Sequence, residues 1–359
     1  MDELREKIGQ MFMVGLASTS LTKEEISILG DCPFGGFILF KQNCSSAGQI
    51  QALCNSLWKT AKDSPPLIAI DQEGGNAHRL PKPFTHFPAA ARIGKRGDPA
   101  LAYRAGRAAA VELALVGISV NFAPVLDVNS NPKNPVIGER SFASEPQQVI
   151  KFSEQWIQGT RDAGIIPCGK HFPGHGDTDK DSHLHLPSVD RDLKGLRAVE
   201  LPPFVHACGN QIESLMTAHV LYRALDREFP ATLSVKILTG LLREELRYDG
   251  VVFSDAMEMK AISDNYGDKE AGALCIRAGV DVLLYSRPMP SVIRAFEFLC
   301  TEAKNNPAIR DRVENSYRRI LRLKRRHLKS FSGVVENEVV ETLSRSDHKR
   351  IVEQICGNF

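Results

Sequence analysis

Residues 144–187 read SEPQQVIKFSEQWIQGTRDAGIIPCGKHFPGHGDTDKDSHLHLP, and this stretch contains a helix, a turn, a strand and a polar loop in succession. Ser144, Glu145 and Pro146 form a helix start, because proline at the first helical position sacrifices no needed backbone donor. Val149, Phe152 and Trp156, with Ile150 and Ile157 beside them, then make an apolar stripe at helical spacing. Such a stripe is a face packed on a core. Gly164 ends the helix. Residues 165–171 follow as a short run that is apolar on both faces, as a strand in a covered parallel sheet must be. No helix can persist through Pro173-Gly174, so 170–187 is read as a loop held at its ends.

The same unit recurs along the chain. Strand-like runs lie at 10–16, 36–40, 67–71, 118–123, 165–171, 214–220, 251–256 and 280–286. Ser234 opens another helix, whose Leu238, Leu241, Leu242 and Leu246 share a face before Asp249-Gly250 breaks it. Eight strands alternating with helices predict an α/β chain folded as a single (β/α)8 TIM-like barrel with some irregular strands; a doubly wound open sheet is the alternative. The expected organisation is a catalytic barrel over 1–330 and a C-terminal helical extension over 331–359, with a last helix near 338–356 packed on the barrel. Gly74-Gly75 is the only suggestive glycine turn after a strand. No dinucleotide fingerprint or P-loop is present.

Composition narrows the function. The 359 residues carry 45 Lys and Arg against 43 Asp and Glu, a net charge of +2, which argues against a nucleic-acid or membrane-surface protein. Arg318, Arg319, Arg322, Lys324, Arg325 and Arg326 alternate with Ile320, Leu321 and Leu323 and are read as a solvated helix face. The N-terminus has no signal-like apolar segment, and the longest apolar runs are too short to span a bilayer. Eight cysteines are scattered without a CxxC pair, which predicts buried free thiols in a cytoplasmic protein.

The chemistry collects after strand ends, where a barrel builds its active site. Asp71 and Arg79 follow the third strand. Asp127, Asn129 and Arg140 follow the fourth, the loop at 170–187 the fifth, His219 the sixth, and Asp255 closes the seventh. The 170–187 loop is either a solvated polar loop, a metal site or an acid/base element. The HxxxH at His171 and His175 is broken by Pro-Gly and cannot present both rings from one helix face. Asp181, two residues before His183, is placed to hold its ring and raise its basicity. Asp255 on a rigid strand is either a structural carboxylate or the partner that such an acid/base needs for double displacement at an acetal carbon. Asp71, Arg79, Arg140, Lys170 and His171 are suited to binding hydroxyls, or to structural ion pairs.

IDQEGG at 70–75, NPVIGERSF at 134–142, KHFPGHGDTDKDSH at 170–183 and FSDAMEM at 253–259 resemble glycoside hydrolase family 3, in its single-domain β-N-acetylglucosaminidase branch of peptidoglycan recycling. The resemblance implies a TIM-like barrel and a retaining mechanism with no metal or organic cofactor. It makes Asp255 the nucleophile, His183 the acid/base and Asp181 its dyad partner. Asp71, Arg79, Arg140, Lys170 and His171 would bind the non-reducing N-acetylglucosamine, and the loop over 174–187 would move. The implied substrate is a small carbohydrate, N-acetylglucosamine linked to 1,6-anhydro-N-acetylmuramic acid with or without peptide, acted on by a monomer. A phosphorylase, a non-catalytic muropeptide sensor and a metal-dependent hydrolase are the competing readings. The chain departs from the family's usual Arg-Val after EGG, where it has Asn76 and Ala77.

Overall fold

The computed structural model describes residues 3–61, 64–182, 184–289, 292–328, 343 and 346–357. Eight parallel strands close into a barrel, each paired with its neighbours in sequence and the last with the first. They are Phe12–Gly15, Gly36–Leu39, Leu67–Ile70, Val120–Asn121, Ile166–Phe172, Ser214–Thr217, Val251–Ala256 and Val282–Pro288. Closure excludes the open-sheet alternative. Register shifts interrupt the pairing near Val14, Phe172 and Leu284, the irregularity the sequence suggested.

Several boundaries differ from the expected ones. The fourth strand shrinks to Val120–Asn121 because Ala123–Pro124 removes the next donor, and the eighth runs on to Pro288. Two short strands outside the barrel, Ser188–Val189 and Leu221–Tyr222, pair in parallel and were not anticipated. The helix Pro146–Asp162 starts from Glu145, with Pro146 at its first position, so Ser144 is not its cap. Its Val149, Phe152 and Trp156 are buried as predicted, and it packs on the alanine-rich helix Pro99–Leu115. Close approach there requires Gly159, whose added Cβ would stand 2.2 Å from Tyr103 O. Ser234 does cap its helix, accepting from Ile237 N at 3.2 Å, although Lys236–Glu245 winds with i to i+5 bonds.

The basic segment corrects a second expectation. Helix Pro307–His327 presents most of those cations outward, but Lys324 is buried, donating to Gln10 Oε1 (2.6 Å) and Gly35 O (2.9 Å). Burial pulls its pKa down to about 7. Arg319 and Arg322 both pair with Asp249 rather than being simply solvated.

The expected boundary at 330 and most of 338–345 lie outside the described residues. Helix Ser346–Cys356 packs on helices Ala90–Arg96 and Pro99–Leu115 through Ile351 and Ile355, with His348 Nδ1 at 2.8 Å from Glu112 Oε1. All eight cysteines are free thiols, seven of them buried. No described helix is long and apolar enough to cross a membrane.

Candidate active site

A cleft of about 440 Å³ opens at the C-terminal ends of the strands. It is lined by Asp71, Arg79, Arg140, Lys170, His171 and Asp255, six of the eight residues to which the family resemblance gives a role. Four different strand ends and the loops beyond them bring these side chains together.

The turn after the third strand sets the first of them. Asn121 clamps it, accepting from Gln72 N and donating to Gln72 O, both at 3.1 Å. Gln72 Oε1 in turn accepts from Arg79 N at 3.0 Å, which fixes the backbone behind the Arg79 guanidinium. Between them, Gly74 adopts φ 95°, and an added Cβ there would meet Pro88 O at 2.6 Å. Only glycine takes that turn without strain.

The fifth strand ends in Lys170 and His171. The Lys170 ammonium, with only 3% of its side chain exposed, lies 2.7 Å from Asp71 Oδ1 and 2.6 Å from Glu73 Oε1. Arg140 grips Glu73 with both Nε and Nη2, each at 2.9 Å, and also donates to Val136 O. Burial pushes the Glu73 carboxyl up, but Arg140 and Lys170 outweigh it and hold the group ionised well below its ordinary range. Burial likewise opposes charge on Lys170, yet Asp71 and Glu73 raise its pKa above the usual lysine value. The cluster therefore presents fixed charges to whatever enters the cleft.

His171 is oriented by Asp127, fully buried, whose Oδ2 lies 2.7 Å from His171 Nδ1. Asp127 Oδ1 also accepts from His171 N (3.1 Å) and His175 N (2.7 Å). Burial would raise the Asp127 carboxyl, but His171 and these donors keep it below its ordinary value. With Nδ1 committed to Asp127, the His171 Nε2 is the atom presented toward Arg140 and the cleft, 3.4 Å from Arg140 Nη2.

Asp255 stands at the end of the seventh strand. Its neighbour Ser254 accepts from Leu284 N at 2.9 Å, tying that strand to the eighth, and Phe253 packs edge-on against Phe122 at 5.2 Å. Ala256 N donates to Asp255 Oδ1 at 2.8 Å. The carboxylate is half-buried on a rigid support and lines the cleft. A carboxylate so held can act as a nucleophile.

Asp181 is described, on the loop next to Ser182, which does line the cleft; its carbonyl accepts from Leu184 N and His185 N. His183 lies outside the described residues. Glu73 and the orienting role of Asp127 were missed in the sequence, as was the pairing of Glu258 with Ser286 at the cleft's edge. Asn76 lies at the rim, donating to Glu139 Oε1 at 3.2 Å. Among the described residues, no three His, Cys, Asp or Glu side chains are arranged to hold a metal ion.

Residues 3–323 match the glycosyl hydrolase family 3 N terminal domain. β-Hexosaminidase A of Pseudoalteromonas piscicida is 37% identical over 95% of this chain, which spans only 61% of that longer protein. The structure of a glycoside hydrolase family 3 β-N-acetylglucosaminidase from Paenibacillus superposes with a TM-score of 0.90 at 36% identity, covering 99% of this chain and 69% of that one. NagZ of Neisseria gonorrhoeae, in complex with N-trifluoroacetyl-D-glucosamine, superposes with a TM-score of 0.78 at 28% identity over 97% of both chains.

Proposed function

The chain belongs to glycosyl hydrolase family 3, and from that premise we propose that it is a retaining, exo-acting β-N-acetylglucosaminidase. The observation that carries this reading is the rigid Asp255 carboxylate sharing one cleft with the Asp71–Lys170–Glu73–Arg140 cluster and His171. Sugar hydroxyls demand many directed hydrogen bonds, and this cluster offers both fixed donors and fixed acceptors. A cleft of about 440 Å³ lies within the range of roughly 300–1,000 Å³ usual for small-ligand sites. The N-acylated glucosamine bound by the gonococcal relative supports the choice of sugar.

In this mechanism Asp255 attacks the anomeric carbon while His183, held by Asp181, gives its proton to the departing glycosidic oxygen. The aglycone leaves and a glycosyl ester on Asp255 remains. Water then attacks the same carbon, His183 takes its proton, and the bond to Asp255 breaks, so the anomeric configuration is retained. Asp71, Arg79, Arg140, Lys170 and His171 bind the sugar. The aglycone is 1,6-anhydro-N-acetylmuramic acid with or without peptide, a choice supported by the likeness of the 170–183 stretch to the peptidoglycan-recycling branch. Work in a reducing compartment is supported by the eight free thiols.

The test is release of nitrophenol from p-nitrophenyl N-acetyl-β-glucosaminide by the wild type beside Asp255→Ala and His183→Ala. Turnover lost with Asp255 supports the reading. No wild-type turnover, or an active Asp255→Ala, refutes it. Product analysis in phosphate buffer separates hydrolysis from phosphorolysis, since a phosphorylase would yield the sugar 1-phosphate.

A further inference from the structure

The loop between the fifth strand and Pro187 has two unlike parts. Its base is fixed. Tyr222 Oη donates to Gly174 O at 2.6 Å, and the Asn134 amide donates to His175 O (2.8 Å), Gly176 O (3.0 Å) and Thr178 Oγ1 (3.2 Å). Gly176 lies so close to the chain below that an added Cβ would stand 1.6 Å from Val128 O. Beyond Thr178 the backbone swings out, with Asp179 and Lys180 exposed, and then returns at Ser182, which is buried. On the far side, Leu184 and His185 are exposed again. Among the described residues from Asp179 to His185, Ser182 is the buried one, set between the exposed pairs Asp179-Lys180 and Leu184-His185.

The return is made onto His175. Ser182 Oγ lies 3.0 Å from His175 Nε2, and the opposite ring atom, Nδ1, meets Thr178 Oγ1 at 2.9 Å. Burial, then the nearby His171, pulls the His175 pKa down to about 4, so its ring is neutral near neutrality. A neutral ring has one donor and one acceptor nitrogen, so His175 bridges the two hydroxyls, donating to one and accepting from the other. A weaker contact, Ala261 N to Ser182 O at 3.4 Å, ties the same residue to the segment after the seventh strand.

We propose that His175 is a positioning residue whose hydrogen bond latches Ser182, the residue between Asp181 and His183 in sequence, at the wall of the cleft. The inference rests on the reading of His183 as the acid/base and adds the element that holds it in place. Asp127 gives the latch a shared foundation with the sugar site, because one carboxylate oxygen takes the backbone N–H groups of both His171 and His175. Breaking the latch leaves Asp255 and the sugar-binding cluster untouched but lowers the fraction of time in which the proton donor is in place. The penalty then falls on substrates that need protonation of the leaving group and largely spares those that do not.

The test compares 2,4-dinitrophenyl and methyl N-acetyl-β-glucosaminides, a good and a poor leaving group, in Ser182→Ala, Ser182→Thr and His183→Ala. The ratio of the two rates within one variant is independent of how much of it folds. Ser182→Ala is expected to shift that ratio by about tenfold against the methyl glycoside, in kcat rather than KM, and Ser182→Thr, which restores a hydroxyl, to recover most of it. An unshifted ratio in Ser182→Ala alongside a shifted one in His183→Ala overturns the latch alone. An unshifted ratio in His183→Ala overturns the acid/base reading, and the latch with it.

Discussion

Two buried ion clusters sit at opposite ends of the barrel, and they do different things with the same chemistry. At the N-terminal end of the strands Asp281, fully buried, accepts from Arg243 Nη2 (2.6 Å), Val252 N (2.9 Å), Ser316 Oγ (2.8 Å) and Arg319 Nη1 (3.4 Å). That cluster joins the seventh and eighth strands to two helices around a fully buried Asp281, and only its Arg319 reaches a surface cavity. At the C-terminal end Glu73 is gripped by Arg140 and Lys170, but Asp71, Arg79, His171 and Asp255 stand beside it around an open cleft. Buried, paired charges alone therefore do not mark a functional site. What sets the second cluster apart is the set of further polar side chains, Asp71, Arg79, His171 and Asp255, that line one cleft with it.

Substitution at either end tests the contrast. The largest effect is expected from Asp255→Ala, which should lower kcat roughly a thousandfold or more while leaving the unfolding midpoint near that of the wild type. Asp281→Ala should do the opposite. It strands Arg243, while Arg319 keeps Asp249, and should cost about 3–5 kcal/mol of stability in urea unfolding, with the kcat/KM of the folded fraction unchanged. Activity lost in proportion to Asp255→Ala would erase the distinction between the two clusters.

Glu73→Gln belongs between these extremes. It removes one charge from a cluster with two cations, and charge-assisted hydrogen bonds are worth about 1.5–3 kcal/mol. A rise of roughly tenfold in KM is expected, measured on an aryl N-acetylglucosaminide; an unchanged KM would show that the cluster does not organise the sugar site.

The pH dependence of stability sharpens the same point. The His175 pKa is depressed to about 4 in the fold, mainly by burial, against about 6.5 in an unfolded chain. Between those values the unfolded chain binds more protons, so stability falls as pH drops from about 6.5 toward 4. Replacement by Gln should flatten that part of a Tm–pH profile; an equally steep profile in His175→Gln would assign the loss to other groups. The smallest effect is expected at the rim, where Asn76→Ala removes one exposed bond to Glu139 and should change stability by less than about 0.5 kcal/mol.

The sequence made the barrel legible because its evidence is periodic: apolar runs, helical stripes and polar loops recur in order, and all eight strands fall within or beside the expected runs. The site was legible where motifs close strands, at Asp71, Lys170, His171 and Asp255. Glu73 was passed over although it stands inside the quoted IDQEGG, because nothing local says that its two cations arrive from residues 67 and 97 positions away. Asp127 carried a readable signal, a lone carboxylate among Val125, Leu126 and Val128, which is the pattern of a buried acid that must have a partner. Lys324 was misread for the converse reason. A lysine in a run of arginines reads as solvated, whereas its place on the helix turns it inward to cap carbonyl and amide oxygens beneath the barrel.

The most direct test of Asp255 as a glycosyl acceptor uses His183→Ala with 2,4-dinitrophenyl N-acetyl-β-glucosaminide. The good leaving group departs without an acid, and the missing base slows attack by water, so the covalent intermediate should accumulate. Rapid acid quench, digestion and mass spectrometry should find one N-acetylhexosaminyl unit on the peptide containing Asp255. Turnover without any adduct, or an adduct on a different residue, would contradict the account.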